Sequence, residues 1–261
     1  MEYMPEINTL GLIAVNLIQS AGNWRVHSVF KHNINIVNNQ NELLTLSSDM
    51  AKGPFSLNLS GFFDFIAAHI ERKDAVSISP DGVTVGQFVF PIKKDASLYD
   101  ARVSFPSPPV LEKSFVQEIQ QLIFEEYKKS EYASFYHNNF IPLVNKLEDG
   151  QAQPADLLGL GFGATPSGDD FIMGYILWQS RGKEKAVFSR KLLFHKTNVI
   201  SANYIFYLQK GHITEKIKKI VENLFTKDKI VTLREARSYG YTSGIDFLYG
   251  FTEALRHFSN I

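Results

Sequence analysis

The sequence predicts an α+β protein, in which a β-rich N-terminal part forms a barrel or a sandwich and an α-helical part follows. Residues 11–103 contain short runs rich in Val, Ile and Phe, separated by Gly, Asn, Asp and Pro, as is typical of strands and turns. Beyond residue 110 the apolar residues recur at helical spacing instead. Three prolines within residues 105–110 suit neither a central strand nor a helix interior. We therefore predict a β-rich domain over residues 1–106 and an α-helical domain over residues 107–261.

The strands are predicted from short apolar runs that end at turn-forming residues. Pro80, Asp81 and Gly82 separate two of these runs and predict a hairpin connection. One short helix is expected within residues 58–72, where four apolar residues recur at helical spacing. The predicted strands are residues 11–19, 24–30, 34–38, 54–60, 75–80 and 83–91.

The helices are predicted from apolar residues three and four positions apart. Pro142 should break or kink the predicted helix over residues 131–147, because proline has no N–H group to donate. A further helix should begin at Thr165–Ser167 and be buried on every side, because residues 171–178, "FIMGYILW", are apolar all round. The other predicted helices are residues 111–129, 131–147, 184–209, 214–225 and 243–258.

The composition narrows the class of protein. Lys plus Arg and Asp plus Glu both number 27, and this zero balance does not favour a nucleic-acid or anionic-membrane partner. The chain has no cysteine, which excludes disulfides, thiolate metal sites and a cysteine nucleophile. The N-terminus does not resemble a signal peptide, and no apolar stretch is long enough to span a membrane. We expect a cytoplasmic protein.

One phrase occurs twice in the chain. Residues 165–174, "TPSGDDFIMG", and residues 242–250, "TSGIDFLYG", share Ser-Gly-x-Asp-Phe-(Ile/Leu)-x-Gly. One interpretation is a pair of capping boxes, in which the serine and the aspartate of each copy bind free N–H groups at a helix start. Capping does not account for the glycines, since each glycine within a helix costs about 1 kcal/mol relative to alanine. Two such helices touching at Gly174 and Gly250 would bring both helix starts into one quasi-twofold site.

The chemistry of such a site is mixed. Helix N-termini and the glycine-rich loop of residues 159–163 offer N–H groups that suit phosphate or carboxylate, whereas the aspartates oppose a bare anion. Either a divalent cation such as Mg²⁺ lies between the carboxylates and a phosphate, or the carboxylates bind the main chain and substrate N–H groups. Thr197 and Ser201, in a predicted apolar helix, could join the site, or they could form a polar stripe facing solvent.

Other known site patterns do not fit. No Gly-Lys-Ser/Thr follows the glycine-rich loop, and no strand is predicted before it, which argues against a P-loop and a dinucleotide fingerprint. The histidines do not have the spacing of a zinc site, and no Gly-x-Ser-x-Gly elbow is present.

The segment "GLGFGATPSGDDFIMGYI" (159–176) resembles the signature Gly-x-Gly-x-Gly-Leu-Thr-Pro-Ser-Gly-Asp-Asp-(Phe/Tyr)-Leu-x-Gly of a bacterial family that includes AllH, a subunit of oxamate carbamoyltransferase. Three further segments are similar to other parts of that family: "GYTSGIDFLYGF" (240–251), "KTNVISANYIFYLQKG" (196–211) and "GPFSLNL" (53–59). Two departures are visible. Ala164 replaces the usual leucine, and Tyr241 replaces a frequent histidine, so proton transfer by that histidine could not occur here.

The resemblance implies carbamoyl transfer between carbamoyl phosphate and oxamate, in the use of purine-derived allantoin, by a complex with partner subunits. In this first hypothesis Asp169, Asp170 and Asp246 are catalytic and a small anionic substrate is bound by a set of glycines and hydroxyls. A second hypothesis is a non-catalytic assembly subunit, in which Asp170→Asn lowers stability without changing ligand binding. A third is an Mg²⁺-dependent phosphate- or nucleotide-binding protein of another pathway. The predicted substrate-binding residues are Gly161, Gly163, Thr165, Ser167, Gly168, Thr197, Ser201, Thr242, Ser243 and Gly244.

Overall fold

The computed structural model describes residues 5–20, 22–49, 51–60, 63–103, 111–180 and 187–258. The chain divides into two compact units, Met1–Ala101 and Arg102–Ile261. The proline-rich stretch that carries the predicted boundary between residues 106 and 107 lies outside the described residues, so this boundary stays a prediction.

The first unit is a closed barrel, which confirms the β-rich class and selects a barrel over a sandwich. Its strands follow the order β1-β5-β4-β3-β2-β6-β7-β8 around the barrel. The barrel closes through parallel pairing of β1 with β8, and β4 and β5 are also parallel. The strands are β1 (Glu6–Gly11), β2 (Trp24–Val29), β3 (Asn33–Asn38), β4 (Leu43–Ser47), β5 (Ser56–Ser60), β6 (Ala75–Ser79), β7 (Gly82–Val85) and β8 (Phe88–Tyr99).

Cross-strand apolar partners form the core of the barrel. Ile36 pairs with Leu44 and Leu46 pairs with Leu57, and all four side chains are fully buried. The predicted hairpin is confirmed, because β6 and β7 pair antiparallel with Ser79 opposite Gly82. The strands β1 and β4 were not predicted.

The prediction of a strand over residues 11–19 is wrong. Only Gly11 belongs to a strand, and α1 (Leu12–Gln19) follows it. The buried residues of α1 are Ala14, Leu17 and Ile18, which have the spacing of one helix face. The N–H groups of Ile13 and Ala14 donate to the Pro54 carbonyl, which fixes the start of the helix. The short helix expected within residues 58–72 is α2 (Phe63–Ala67).

The second unit is helical, as predicted. Its helices are α3 (Lys113–Lys129), α4 (Ala133–Phe135), a π-helical turn (Tyr136–Phe140), α5 (Ile141–Glu148), a 3₁₀ turn (Pro154–Asp156), α6 (Ser167–Ser180), α7 (Arg190–Lys196), α8 (Val199–Leu208), α9 (Glu215–Phe225), α10 (Lys229–Arg237) and α11 (Ser243–Phe258).

Two predicted helices differ in detail from the prediction. The backbone stays helical from α4 through the π-helical turn into α5, with Pro142 as the second residue of α5. The predicted break at Pro142 is therefore wrong, and a π-helical turn comes before the proline instead. The predicted helix over residues 184–209 divides at Thr197 and Asn198, because the Asn198 side chain accepts the N–H groups of Ile200 and Ser201 and starts α8. The helix α10 was not predicted.

The buried centre of this unit is the pair α6 and α11. Residues 167–178 of α6 are buried on every side, as predicted from the apolar run. Phe171, Phe247 and Phe251 of the two helices belong to one apolar core with residues of α3, α5 and α9. In the described part of the chain, no helix is both long enough and apolar enough to cross a membrane.

Candidate functional site

The two copies of the repeated phrase begin α6 and α11, and the helices pack together at the last glycine of each copy. A Cβ atom on Gly174 would lie 2.0 Å from the carbonyl oxygen of Phe247, and one on Gly250 would lie 1.9 Å from that of Phe171. Phe171 and Phe247 hold the same position in the two copies, so the contact is reciprocal. This confirms the predicted meeting of the two helices at their glycines, with both helix starts at the same end of the pair.

The first glycine of each copy is also closely packed. A Cβ atom would lie 1.9 Å from the Leu157 carbonyl oxygen at Gly168, and 2.1 Å from the Ala236 carbonyl oxygen at Gly244. The N–H groups of both glycines donate to main-chain carbonyls of the preceding segments. These contacts supply a steric reason for glycine, and the predicted role of both residues in substrate binding stays a prediction.

Asp246 is fully buried at the start of α11 and is held by two tyrosines. Tyr127 donates a hydrogen bond to Oδ1 at 2.8 Å, and Tyr136 donates to Oδ2 at 3.1 Å. Burial raises the pKa of Asp246 from its usual 3.8 to about 7, against the hydroxyls of Tyr127, Ser167, Thr242 and Tyr136, which favour the charged form. This carboxyl therefore changes charge near neutral pH.

Asp170 is the corresponding residue of α6, and its surroundings differ. Its side chain is 1% exposed, and neither carboxyl oxygen has a hydrogen-bond partner among the residues that the structure describes. Burial raises the pKa of Asp170 well above its usual value, and the negative charge of Asp246 raises it further. The hydroxyls of Ser243 and Thr165 are near enough to oppose this rise, although they do not reach hydrogen-bond geometry. Burial and the charge of Asp246 therefore both favour the neutral form of Asp170.

The two copies exchange partners. The Asp246 carboxyl is influenced by Ser167 of the first copy, and the Asp170 carboxyl by Ser243 of the second. Ser167 Oγ lies 3.0 Å from Tyr136 Oη, and Ser243 Oγ lies 3.0 Å from Thr165 Oγ1. The capping-box interpretation is wrong for Asp170, because its carboxyl accepts no N–H group of the described residues. Asp246 is hydrogen-bonded to tyrosines instead.

Asp169 is buried too, and it joins two segments of the chain. Its Oδ1 accepts the Gly159 N–H at 2.7 Å, and its Oδ2 accepts the hydroxyl of Thr197. Burial raises the pKa of Asp169, and the hydrogen bonds from Thr197 and Gly159 oppose this rise. Asp169 thus fixes the glycine-rich loop to the junction between α7 and α8. Ser201 is fully buried, so the alternative of a solvent-facing stripe is wrong for that residue.

The glycine-rich loop lies between these buried residues and the surface. Gly161 has φ +120° and Gly163 has φ +85°, values that side chains rarely adopt. Between them, Phe162 is 58% exposed and its ring stacks on Tyr132. Tyr132 also contacts the ring of Tyr241. An aromatic cluster therefore connects the loop to the start of the second copy.

A pocket of about 180 Å³ opens beside the start of α11. Tyr127, which donates to Asp246, and Thr242, which influences its pKa, form part of the wall. The pocket therefore adjoins the buried carboxyl cluster. Its lining is Glu126, Tyr127, Lys129, Ser130, Arg237, Tyr241, Thr242 and Ile245.

Sequence reasoning missed the two tyrosines that hold Asp246. Tyr127 was counted as an apolar position of the predicted helix 111–129, and nothing in the sequence around Tyr136 indicated a buried polar contact. The two rings stack with centroids 3.9 Å apart, so both hydroxyls reach the same carboxyl. Among the described residues, no group of three or more His, Asp or Glu side chains is placed to hold a metal ion; a requirement for Mg²⁺ stays a prediction.

The fold and the site define a two-unit α+β protein, with a barrel and a helical unit built around paired Ser-Gly-x-Asp helix starts. Two family models match the chain: the AllH family N-terminal domain over residues 11–98 and the oxamate carbamoyltransferase subunit AllH over residues 157–255. The chain belongs to the AllH family. No solved structure matches it.

Proposed function

We propose that this chain is an oxamate carbamoyltransferase subunit that binds oxamate, or a similar small carboxylate with an amide group, at the paired starts of α6 and α11. The family name supports the reaction class. Partner subunits complete the enzyme in this proposal, since the family is named as a subunit. The pathway in which it acts is the use of purine-derived allantoin.

The observation that carries the proposal is the unpartnered carboxyl of Asp170. A buried polar group without a hydrogen bond costs about 1–3 kcal/mol, and a role in catalysis is one reason for a protein to keep such a group. The carboxyl oxygens of Asp170 can accept the N–H groups of an amide. Burial raises the pKa of Asp170, which favours its neutral form, and a neutral carboxyl does not repel the carboxylate of the same substrate. In this proposal Asp170 therefore needs no cation beside it to accept an anionic ligand.

Asp246 suits proton transfer in this reaction. The amide nitrogen of oxamate would attack the carbamoyl carbon, the bond from that carbon to the phosphate oxygen would break, and phosphate would leave with the bonding electrons. The nitrogen must then lose a proton. A base with a pKa near the working pH performs this step well, and the pKa of Asp246 is about 7. Tyr127 and Tyr136 orient the carboxyl and stabilise its charged form.

Asp169 has a positioning role in this proposal. Its hydrogen bonds to Gly159 and Thr197 hold the glycine-rich loop, with Gly161 and Gly163, over the substrate. Such positioning contributes to catalysis because correctly held reactants need less ordering in the transition state.

The proposal is tested by measuring the melting temperature of the purified chain in the presence of oxamate, carbamoyl phosphate or ATP, each with and without Mg²⁺. A ligand at about 100 times its dissociation constant should add about 2.7 kcal/mol to the free energy of unfolding. Glu253→Gln is a matched control for Asp170→Asn, because Glu253 is also a buried carboxyl with a raised pKa, on α11. We expect oxamate to stabilise the wild type and the control but not Asp170→Asn.

Other outcomes would favour the alternatives. If oxamate and carbamoyl phosphate stabilise neither the wild type nor the control, the result would favour an assembly subunit. The close main-chain contacts at Gly174 and Gly250 favour this second candidate, since they make the repeated phrase a packing device. Stabilisation by ATP that needs Mg²⁺ would instead support a nucleotide-binding protein.

A further inference from the structure

The pocket beside Tyr127 and Thr242 carries the positive charge that the buried carboxyl cluster lacks. Among the described residues, no lysine or arginine is a leading influence on the pKa of Asp169, Asp170 or Asp246. The pocket is lined by Lys129 and Arg237, with Glu126 as the acidic residue of the lining. Its formal charge is therefore positive by one unit, and it adjoins a cluster of carboxyls.

Arg237 is oriented by Glu126 and keeps donors for a ligand. Its Nε and Nη2 donate to the two oxygens of Glu126 at 2.9 and 2.7 Å. A guanidinium has five N–H donors, so this pairing fixes the plane of the group while its Nη1 makes no hydrogen bond to the described residues. The Arg237 side chain is 55% exposed, which leaves it accessible from the pocket.

Lys129 supplies a second cation beside Glu126. Its Nζ lies 3.7 Å from Glu126 Oε1, and the side chain is 71% exposed. At this distance the ammonium interacts with Glu126 by charge but does not form a close hydrogen bond. Lys129 can therefore turn toward an anion in the pocket without breaking a hydrogen bond.

Two helix ends meet at the pocket. Ser130 follows the end of α3 and accepts the Tyr132 N–H, so its own proton remains to donate. Thr242 precedes the start of α11, whose partial positive charge favours an anion. The end of α3 opposes an anion by the same reasoning, and Lys129 in its last turn offsets this effect.

We infer that this pocket binds the phosphate group of the carbamoyl donor, through Arg237, Lys129, Ser130 and Thr242. The identity of that donor rests on the proposed function, whereas the affinity for phosphate rests on the pocket alone. A phosphate group carries close to two negative charges at neutral pH, and the pocket volume of about 180 Å³ is well above the space that one water molecule needs. Tyr127 and Thr242 line the pocket and also influence the pKa of Asp246, so phosphate bound there would lie beside the carboxyl cluster.

Calorimetric titration of the full chain with inorganic phosphate tests the inference. We expect the affinity for phosphate to fall at least about tenfold in Lys129→Ala and in Arg237→Gln, which is the loss expected for one hydrogen bond to a charged group. Two matched controls carry the same changes nearby. Lys128→Ala removes a lysine that pairs with Glu125 in the same helical turn, and Arg234→Gln removes an arginine that pairs with Glu235 in α10. Both should bind phosphate within about twofold of the wild type.

The outcomes separate this inference from the proposed function. Unchanged affinity in Lys129→Ala and Arg237→Gln, or no binding of phosphate by the wild type at millimolar concentration, would overturn the inference. Loss of phosphate binding in Asp170→Asn, with both pocket variants unaffected, would also overturn it, and would leave the oxamate site standing. Phosphate binding that depends on the pocket, in a wild type that oxamate does not stabilise, would support the inference and contradict the proposed function.

Discussion

Gly174 lies directly against the main-chain carbonyl of Phe247, so closely that a Cβ atom at this position would be 2.0 Å from the oxygen. The reciprocal contact of Gly250 with Phe171 fixes the axial position of α6 relative to α11. The side-chain partners exchanged between the two copies depend on this position. The glycines far inside the helices therefore set the geometry at the helix starts.

Gly174→Ala and Gly250→Ala should each destabilise the chain by about 2 kcal/mol or more, as overpacking in a tight core does. The direction of the change in stability is informative, because alanine in place of glycine in an unobstructed helix would stabilise the chain by about 1 kcal/mol. Unfolding in urea measures the change, and Gln121→Ala on the exposed face of α3 is the control. A stabilised glycine variant would contradict the close contact.

Asp246 should make stability depend on pH. The folded state binds this proton more tightly than the unfolded chain, so the free energy of unfolding falls as pH rises from about 4 through the folded pKa of about 7. This pKa shift corresponds to a fall in the free energy of unfolding on the order of 4 kcal/mol. Asp246→Asn should remove most of this slope in urea unfolding between about pH 4 and pH 8. An unchanged slope would mean that the carboxyl is ionised throughout.

Asp170→Asn should stabilise the ligand-free chain at neutral pH. The aspartate must take up a proton on folding, because burial raises its pKa, and this cost grows as pH rises. Asparagine has no such cost, so we expect a gain in stability at pH 8 and a much smaller gain at pH 4. Thermal unfolding at both pH values measures the difference. A lower melting temperature for the variant at both pH values would agree instead with a packing role for this aspartate.

Arg256 should stabilise a second acidic pair, in which Glu253 is buried and Glu148 is partly exposed. It forms ion pairs with Glu148, the last residue of α5, and with Glu253 of α11. Burial, and then the hydrogen bond with Glu148, raises the pKa of Glu253 to about 8. Arg256→Met should cost about 2 kcal/mol at pH 9, less than for a fully buried pair because Arg256 is 40% exposed.

The cost of Arg256→Met should shrink as pH falls, because Glu253 takes up a proton and the repulsion between the two carboxyls is relieved. Urea unfolding at several pH values measures this change. Arg234→Met, at an exposed arginine of α10, is the control and should change stability little. If Arg256→Met lowers the free energy of unfolding equally at pH 6 and pH 9, the uptake of a proton by Glu253 in this range would be contradicted.

The sequence predicts the features that depend on local spacing and repetition. The hairpin at Pro80–Gly82 and the meeting of Gly174 with Gly250 both follow from residue types at fixed intervals. Residues 12–19 were assigned to a strand because their Val and Ile content favours strands, whereas burial of Ala14, Leu17 and Ile18 on one side makes a helix.

The part of the site that the sequence does not predict depends on distant residues. Tyr127 looks like an apolar position of α3, and only the folded chain brings its hydroxyl to Asp246. The raised pKa of Asp170 likewise results from burial by the surrounding helices and from the charge of Asp246. Neither effect has a signal in the neighbouring residues.

The exchange of serine and aspartate partners between the two copies has a consequence for folding. The helices α7 to α10 lie between α6 and α11 in the chain, so closing this long loop costs chain entropy before any contact between the copies is made. Neither copy can complete its polar contacts alone. The acidic cluster therefore forms only when α11 docks on α6, and neither helix start makes the site by itself.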